Sequence, residues 1–276
     1  MKEAEYLRWL TEETTSYNDI IGIFFPATMW KQMPHFVQTL LRNYITSVVV
    51  YFLLCFLWCF YFYYFKSNVY TPKDSRIPWR KSVIMSQISV SMKAMPWIST
   101  VAAISERMIE GGWTKCYISI SEVGPLAYIM HVLIHAMFVE FWLYWTHRAM
   151  HDIKPLYKRF HSVHHKFNKE DSLSPFAGPA SHPVEAVLDV VPFMVLLFLV
   201  PMHFTTELIL MSLNGIWTLY THSCVDAEIW PIMSADYHTL HHVTHRYNYG
   251  NYTVLMDWMF GTLRPPSIHG DEDKAK

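Results

Sequence analysis

Residues 140–165 read EFWLYWTHRAMHDIKPLYKRFHSVHH, an apolar run that delivers His147 and His151 in HxxxH spacing and then His161, His164 and His165 in HxxHH spacing. A second HxxHH follows at His238, His241 and His242. Side chains three or four apart share one face of a helix, so each cluster aims two or three imidazoles at one point, as metal ligands require. With 16 histidines in 276 residues, one HxxHH is expected by chance about 0.05 times. Two of them, with an HxxxH ten residues ahead of the first, mark a site.

Composition says where that site sits. The chain is 52% hydrophobic and 16% aromatic with only 16% charged residues, against a charged fraction of about 25% in soluble domains. A membrane protein is expected. A net charge of -1 and the lack of a Gly-rich phosphate loop give no sign of a nucleic-acid partner. The four cysteines, Cys55, Cys59, Cys116 and Cys224, lack CxxC spacing and read as structural. No removable signal peptide is evident in the first 40 residues, which carry mixed charge.

Residues 43–65, NYITSVVVYFLLCFLWCFYFYYF, are uncharged and long enough to cross a hydrocarbon core of about 30 Å. A weaker segment, 83–104, is interrupted by Lys93 and Pro96 and either crosses or lies in the interface. A third, 123–146, contains Glu140 and ends at the first histidine pair. Residues 186–200 and 207–220, separated by Pro201, read as a helical hairpin that returns the chain to its starting side, so all three clusters can converge. The expectation is an all-α polytopic membrane protein with about four transmembrane helices, one pair a hairpin, and a cytosolic histidine-rich helical cap. Residues 1–42 form an N-terminal segment, 43–146 the transmembrane helices, and 147–276 the histidine-box region, which includes the 186–220 hairpin.

Lys and Arg number five over 66–82 and six over 148–182, against two over 106–122. The positive-inside rule places the first two segments and the histidines in the cytosol, the third on the lumenal side, and, if every segment crosses, the amino terminus there too.

Eight clustered histidines exceed the needs of one ion. A structural zinc closes with four ligands and favours thiolates, whereas two ions held by imidazole with open positions suit oxygen activation by non-haem iron. A di-iron oxygenase is the economical reading. His222, at the end of the hairpin, is positioned to complete the coordination sphere. His182, in SHPVE, fits a ligand, an outer donor, or the start of a helix before Pro183. Glu140 shares a helical stripe with Tyr144, His147 and His151, so it either orients a ligand histidine or pairs with an unrelated Arg or Lys. His35, His131, His135, His203 and His269 stand alone and read as interfacial or pH-sensing.

EFWLYWTHRAMH, the two HxxHH clusters and NYGNYTVLMDWMFGTL resemble the membrane-bound fatty acid hydroxylase superfamily, and within it the plant delta-7 sterol C-5(6) desaturases, or lathosterol oxidases. PHFVQTLLRNY, FLWCFYFYY, MKAMPW, GGWTKC, HDIKPLYK, LSPFAG and VPMHFTT extend the likeness over nearly the whole chain. The resemblance implies a di-iron centre in the endoplasmic reticulum membrane, held by His147, His151, His161, His164, His165, His238, His241 and His242. It also implies oxidation of a delta-7 sterol by O2 to the delta-5,7 diene. No flavin or haem signature is evident, and in this family the electrons come from cytochrome b5 and its NADH-dependent reductase. Where some relatives carry a second histidine after the one matching His222, this chain has Asp226, a residue type that also binds iron. Lys154, Lys158, Arg159, Lys166 and Lys169 suit docking of an acidic electron carrier or contact with anionic lipid. A sister oxidase (a sterol 4-methyl oxidase or fatty acid hydroxylase), a metal transporter and an inactive scaffold are the rival readings.

Overall fold

The computed structural model describes residues 3–70, 80–117, 119–167, 173–223, 225 and 229–266. The helices in chain order are α1 (Glu3–Gly22), α2 (Ala27–Gln32), α3 (His35–Trp58), α4 (Ser67–Tyr70), α5 (Lys81–Glu110), α6 (Pro125–Asp152), α7 (Lys154–Arg159), α8 (Pro183–Leu199), α9 (Phe204–Thr221), α10 (Ala235–Thr244) and α11 (Leu255–Met259). Among the described residues no strand forms, only two isolated bridges, so the fold is all-α as expected.

Two helical segments are long and apolar enough to cross a bilayer, His35–Phe65 with mean hydropathy 2.2 and Pro125–Asp152 with 1.6. Only 11% and 17% of their apolar windows are buried, which separates them from the core helices of a soluble protein. On α6 the exposed residues Ile129, Leu133, Met137 and Phe141 recur every fourth position, a stripe suited to lipid. The chain is a membrane protein. The aromatic end of the first segment, Cys59–Phe65, winds into a π-helix. α5 runs unbroken through Pro96 and is not one of the two segments apolar enough to cross. Two helices form where the hairpin is expected: α8 and α9 have 17 and 18 residues and are joined by four residues around Pro201.

The chain divides into two compact units. The first comprises residues 1–54, 89–139 and 182–213. Polar ties stitch its apolar helices together: Arg42 pairs with Glu106, Asn43 Nδ2 donates to Glu106 Oε1 at 2.8 Å, and Asn18 Nδ2 donates to Thr39 Oγ1 at 3.0 Å. His135 faces Glu207 at 3.2 Å, both side chains buried, and His35 Nε2 lies 2.9 Å from Glu110 Oε1. In place of isolated interfacial positions, these two histidines have carboxylate neighbours.

The second unit comprises residues 55–88, 140–181 and 214–276, and every clustered histidine lies in it. Residues around Ile232 and Thr253 pair antiparallel, with Met233 N–H donating to the Tyr252 carbonyl at 3.0 Å and Val254 N–H to the Pro231 carbonyl at 2.8 Å. This pairing folds the segment after α10 back against its start and sets residues 247–253 beside the histidines.

Candidate metal centre

The histidines arrive on four supports. His147 and His151 occupy the last turns of α6, whereas His161, His164 and His165 lie on a 3-10 turn and the bend after it rather than on an α-helix. α7 ends at Arg159 and Phe160 leaves helical geometry at φ -120, so the cluster starts a tighter turn. His222 follows α9, and α10 carries His238, His241 and His242.

These nine residues form two groups, each with ligand atoms within 4.8 Å of one another: His147, His151, His161, His165 and His241 in one, His164, His222, His238 and His242 in the other. Each HxxHH is therefore split. Its first and last histidines go to one group and the middle one to the other, and the two clusters do this in opposite senses. On α10 the cause is angular: at about 100° per residue, positions i+3 and i+4 lie on either side of position i, so His241 and His242 diverge toward two centres.

Within each group the Nε2 atoms face one another: 2.7 Å for His151–His161, 3.1 Å for His165–His241, 3.2 Å for His164–His222, and 3.1 Å for His222–His238 and His238–His242. Two donors about 2.1 Å from one ion at 90–110° are roughly 3.0–3.4 Å apart, so these spacings fit shared coordination. The tautomers point the same way. His222 Nδ1 is 2.8 Å from the Thr218 carbonyl and His164 Nδ1 is 3.4 Å from the Ala180 carbonyl. A carbonyl only accepts, so both Nδ1 atoms carry the proton and both facing Nε2 atoms are bare lone pairs. Two lone pairs in contact repel unless a cation lies between them. His147 Nδ1 and His241 Nδ1 are held in the same way, by the Tyr249 and Tyr247 carbonyls at 3.0 and 2.8 Å. The donor set thus fits two metal ions, one per group.

Burial makes protons poor substitutes for metal. It lowers His161 to about 3 and His222 to about 4 from an ordinary 6.5, and holds His165, His238, His241 and His242 well below that value. Between about pH 6.5 and pH 4 the unfolded chain binds more protons than the folded one, so folded stability falls as pH falls. Thermal melts of metal-free protein are expected to show a midpoint that drops from pH 7 to about pH 5; a flat or rising midpoint would contradict the assignment of these rings as neutral.

Two carboxylates hold the loop that carries the tethering carbonyls. Glu140 accepts from Tyr252 N–H (2.9 Å), Thr253 N–H (3.0 Å) and Thr253 Oγ1 (2.9 Å). Among the described residues its hydrogen-bond partners are neither a ligand histidine nor a cation; it acts on His147 through the loop. Asp257 accepts from Tyr249 N–H and Gly250 N–H, both at 2.8 Å, and from Thr262 Oγ1 at 2.7 Å. Glu140→Ala leaves three donors without their acceptor and is expected to cost about 2–4 kcal/mol. Thermal melts and metal analysis would show it; an unchanged midpoint would remove Glu140 from this role.

His182 lies in the other unit, where its Nδ1 accepts from Val184 N–H at 3.1 Å as the N-cap of α8, with Pro183 in the first turn. Asp226, Cys224, Lys169 and His269 fall outside the described residues. Sequence reasoning missed Asp257 and also His245, which stands three residues beyond the last HxxHH.

The fatty acid hydroxylase family profile matches residues 126–262. A "Delta(7)-sterol-C5(6)-desaturase" of Nicotiana tabacum is 52% identical over 273 residues, 99% of both chains. The chain belongs to the fatty acid hydroxylase family. A "Putative Delta(7)-sterol-C5(6)-desaturase 2" of Arabidopsis thaliana is 48% identical over 99% of this chain and 98% of its own length. The "Lathosterol oxidase" of Homo sapiens is 28% identical over 88% of this chain and 81% of its own. No solved structure matches. The family profile covers α6 through the 247–257 loop, so it contains every clustered histidine and both loop-holding carboxylates.

Proposed function

We propose that this chain is a membrane-bound di-iron sterol C-5(6) desaturase of the endoplasmic reticulum, an oxidoreductase of sterol biosynthesis with its site facing the cytosol. The observation that carries the reading is the division of nine histidines into groups of five and four, in a chain half identical to relatives named for this reaction. A delta-7 sterol loses one hydrogen each from carbons 5 and 6, and with two electrons and two protons from outside, O2 becomes two waters. Iron held by the five- and four-histidine groups would supply the activation of dioxygen.

The protein's part is to hold the rings. His147, His164, His222 and His241 present bare Nε2 atoms because backbone carbonyls fix their Nδ1 protons. Burial lowers the proton affinity of His222 and His241, so those donors take a metal without displacing protons. Cytochrome b5 with its NADH-dependent reductase is the proposed electron source. Lys154, Lys158, Arg159 and Lys166 are exposed beside the first two histidine clusters in sequence, a basic surface suited to an acidic carrier.

The test is the sterol profile, by gas chromatography and mass spectrometry, of C-5 desaturase-deficient yeast expressing this chain. Delta-5,7 sterols support the reading. Hydroxylated lipid or 4-demethylated sterol without a new diene, from a well-expressed chain, would assign it to a sister oxidase.

A further inference from the structure

His165 and His242 are the grouped histidines whose Nδ1 atoms are buried without a hydrogen-bond partner among the described residues, and of the two His165 has a second unpartnered ring nitrogen close by. The Nε2 of His165 faces His241. A metal-bound imidazole ordinarily donates its other N–H to an acceptor, which sets the tautomer and strengthens the ligand. Four other rings of the centre have carbonyls for this purpose.

A second orphan lies beside it. His245 Nε2 is likewise buried and has no partner among the described residues, and its ring centroid is 4.5 Å from that of His165. The other nitrogen of His245, Nδ1, is 3.2 Å from Tyr157 Oη. His245 ends α10 in the left-handed region at φ 61, a position where glycine is usual and a side chain costs energy. His245 belongs to neither histidine group, so it is not placed as a ligand.

Resting on the two-metal reading above, we infer that His245 is a positioning residue in the metal-loaded centre: a small turn of the adjacent rings, which are not hydrogen-bonded to each other here, lets its Nε2 accept the Nδ1 proton of His165 while its own Nδ1–H donates to Tyr157 Oη. The two orphans are complementary in this arrangement. His165 needs an acceptor, and the tautomer of His245 that provides one has its remaining proton where the tyrosine oxygen can receive it. The chain fixes His165 with Nε2 bare toward the five-histidine group.

The experiment uses the full chain purified in detergent and loaded with Co(II), whose ligand-field absorption reports ligand geometry, with affinity measured by chelator competition. Wild type, His245→Phe, His245→Gln and Tyr157→Phe are compared. Phe fills the space without an acceptor, whereas the Gln oxygen reaches about as far as Nε2; both meet the same backbone strain as His. The expected result is a 10–100-fold loss of affinity for one of two ions in His245→Phe, with an altered spectrum. Gln is expected to restore most of both, and Tyr157→Phe to shift them in the same direction by less. The inference is overturned if His245→Phe keeps wild-type affinity and spectrum, or if Gln falls as far as Phe. Wild type that binds no pair of ions would overturn the two-metal reading and this inference together. Wild type that binds two, with His245→Phe unchanged, would remove the inference alone.

Discussion

Replacing His161 and His164 together by alanine is expected to abolish delta-5,7 sterol formation, a fall of more than about 100-fold. The pair is chosen because it removes one donor from each group while leaving the helices that carry the others. His161 takes with it the 2.7 Å contact to His151, and His164 the 3.2 Å contact to His222. Each remaining ring then faces fewer donors, and neither group can hold its ion as before. The same yeast strain and sterol profile serve as the assay, with protein level and helical content as controls. Undiminished diene from the double variant would mean that the chemistry resides elsewhere in the chain.

Gly250→Ala should be nearly as damaging and more selective. A Cβ at Gly250 would collide with the Thr253 carbonyl and stand 3.0 Å from Asp257 Oδ2 and 3.1 Å from Met233 Cε. The worst neighbour is backbone, so the loop itself must move, at about 1–3 kcal/mol or more. That loop supplies the Tyr247 and Tyr249 carbonyls, which tether His241 and His147, both in the five-histidine group. The Thr218 and Ala180 carbonyls, which tether His222 and His164, are on other segments. Metal content is therefore expected to fall from two ions per chain toward one, with a lowered melting midpoint. Retention of both ions at wild-type affinity would show that the tethers do not govern coordination.

Much of this arrangement is legible in the residues. The 3.6-residue period and the lengths of the apolar runs announce helices, and Pro201 between two such runs announces the hairpin. The nine histidines singled out by spacing and position are the nine that the structure gathers. What spacing does not reveal is the exchange of middle histidines between groups, because it depends on how two separate turns face each other. The tethers are hidden for another reason: a backbone carbonyl leaves no mark in a sequence. Asp257 looks like one more acid in NYGNYTVLMDW until its acceptors are seen to hold Tyr249 and Gly250. His182 shows the converse, a histidine beside a proline whose ring caps a helix. His245 stands four residues after His241, the spacing of His147 and His151, and spacing alone does not separate a grouped histidine from its neighbour.

The tethering loop also sets a clock on biosynthesis. The five-histidine group takes donors from residues 147 to 241 and its restraints from 247 to 257, with the α8–α9 hairpin between the early and late contributions. While residue 257 is still inside the ribosome, His147 and His241 lack the support that points their lone pairs inward. Alignment of these two rings thus waits for the last-made part of the centre. A centre that begins on α6 is completed by a loop made about a hundred residues later, so its geometry reports that the later segment has folded back.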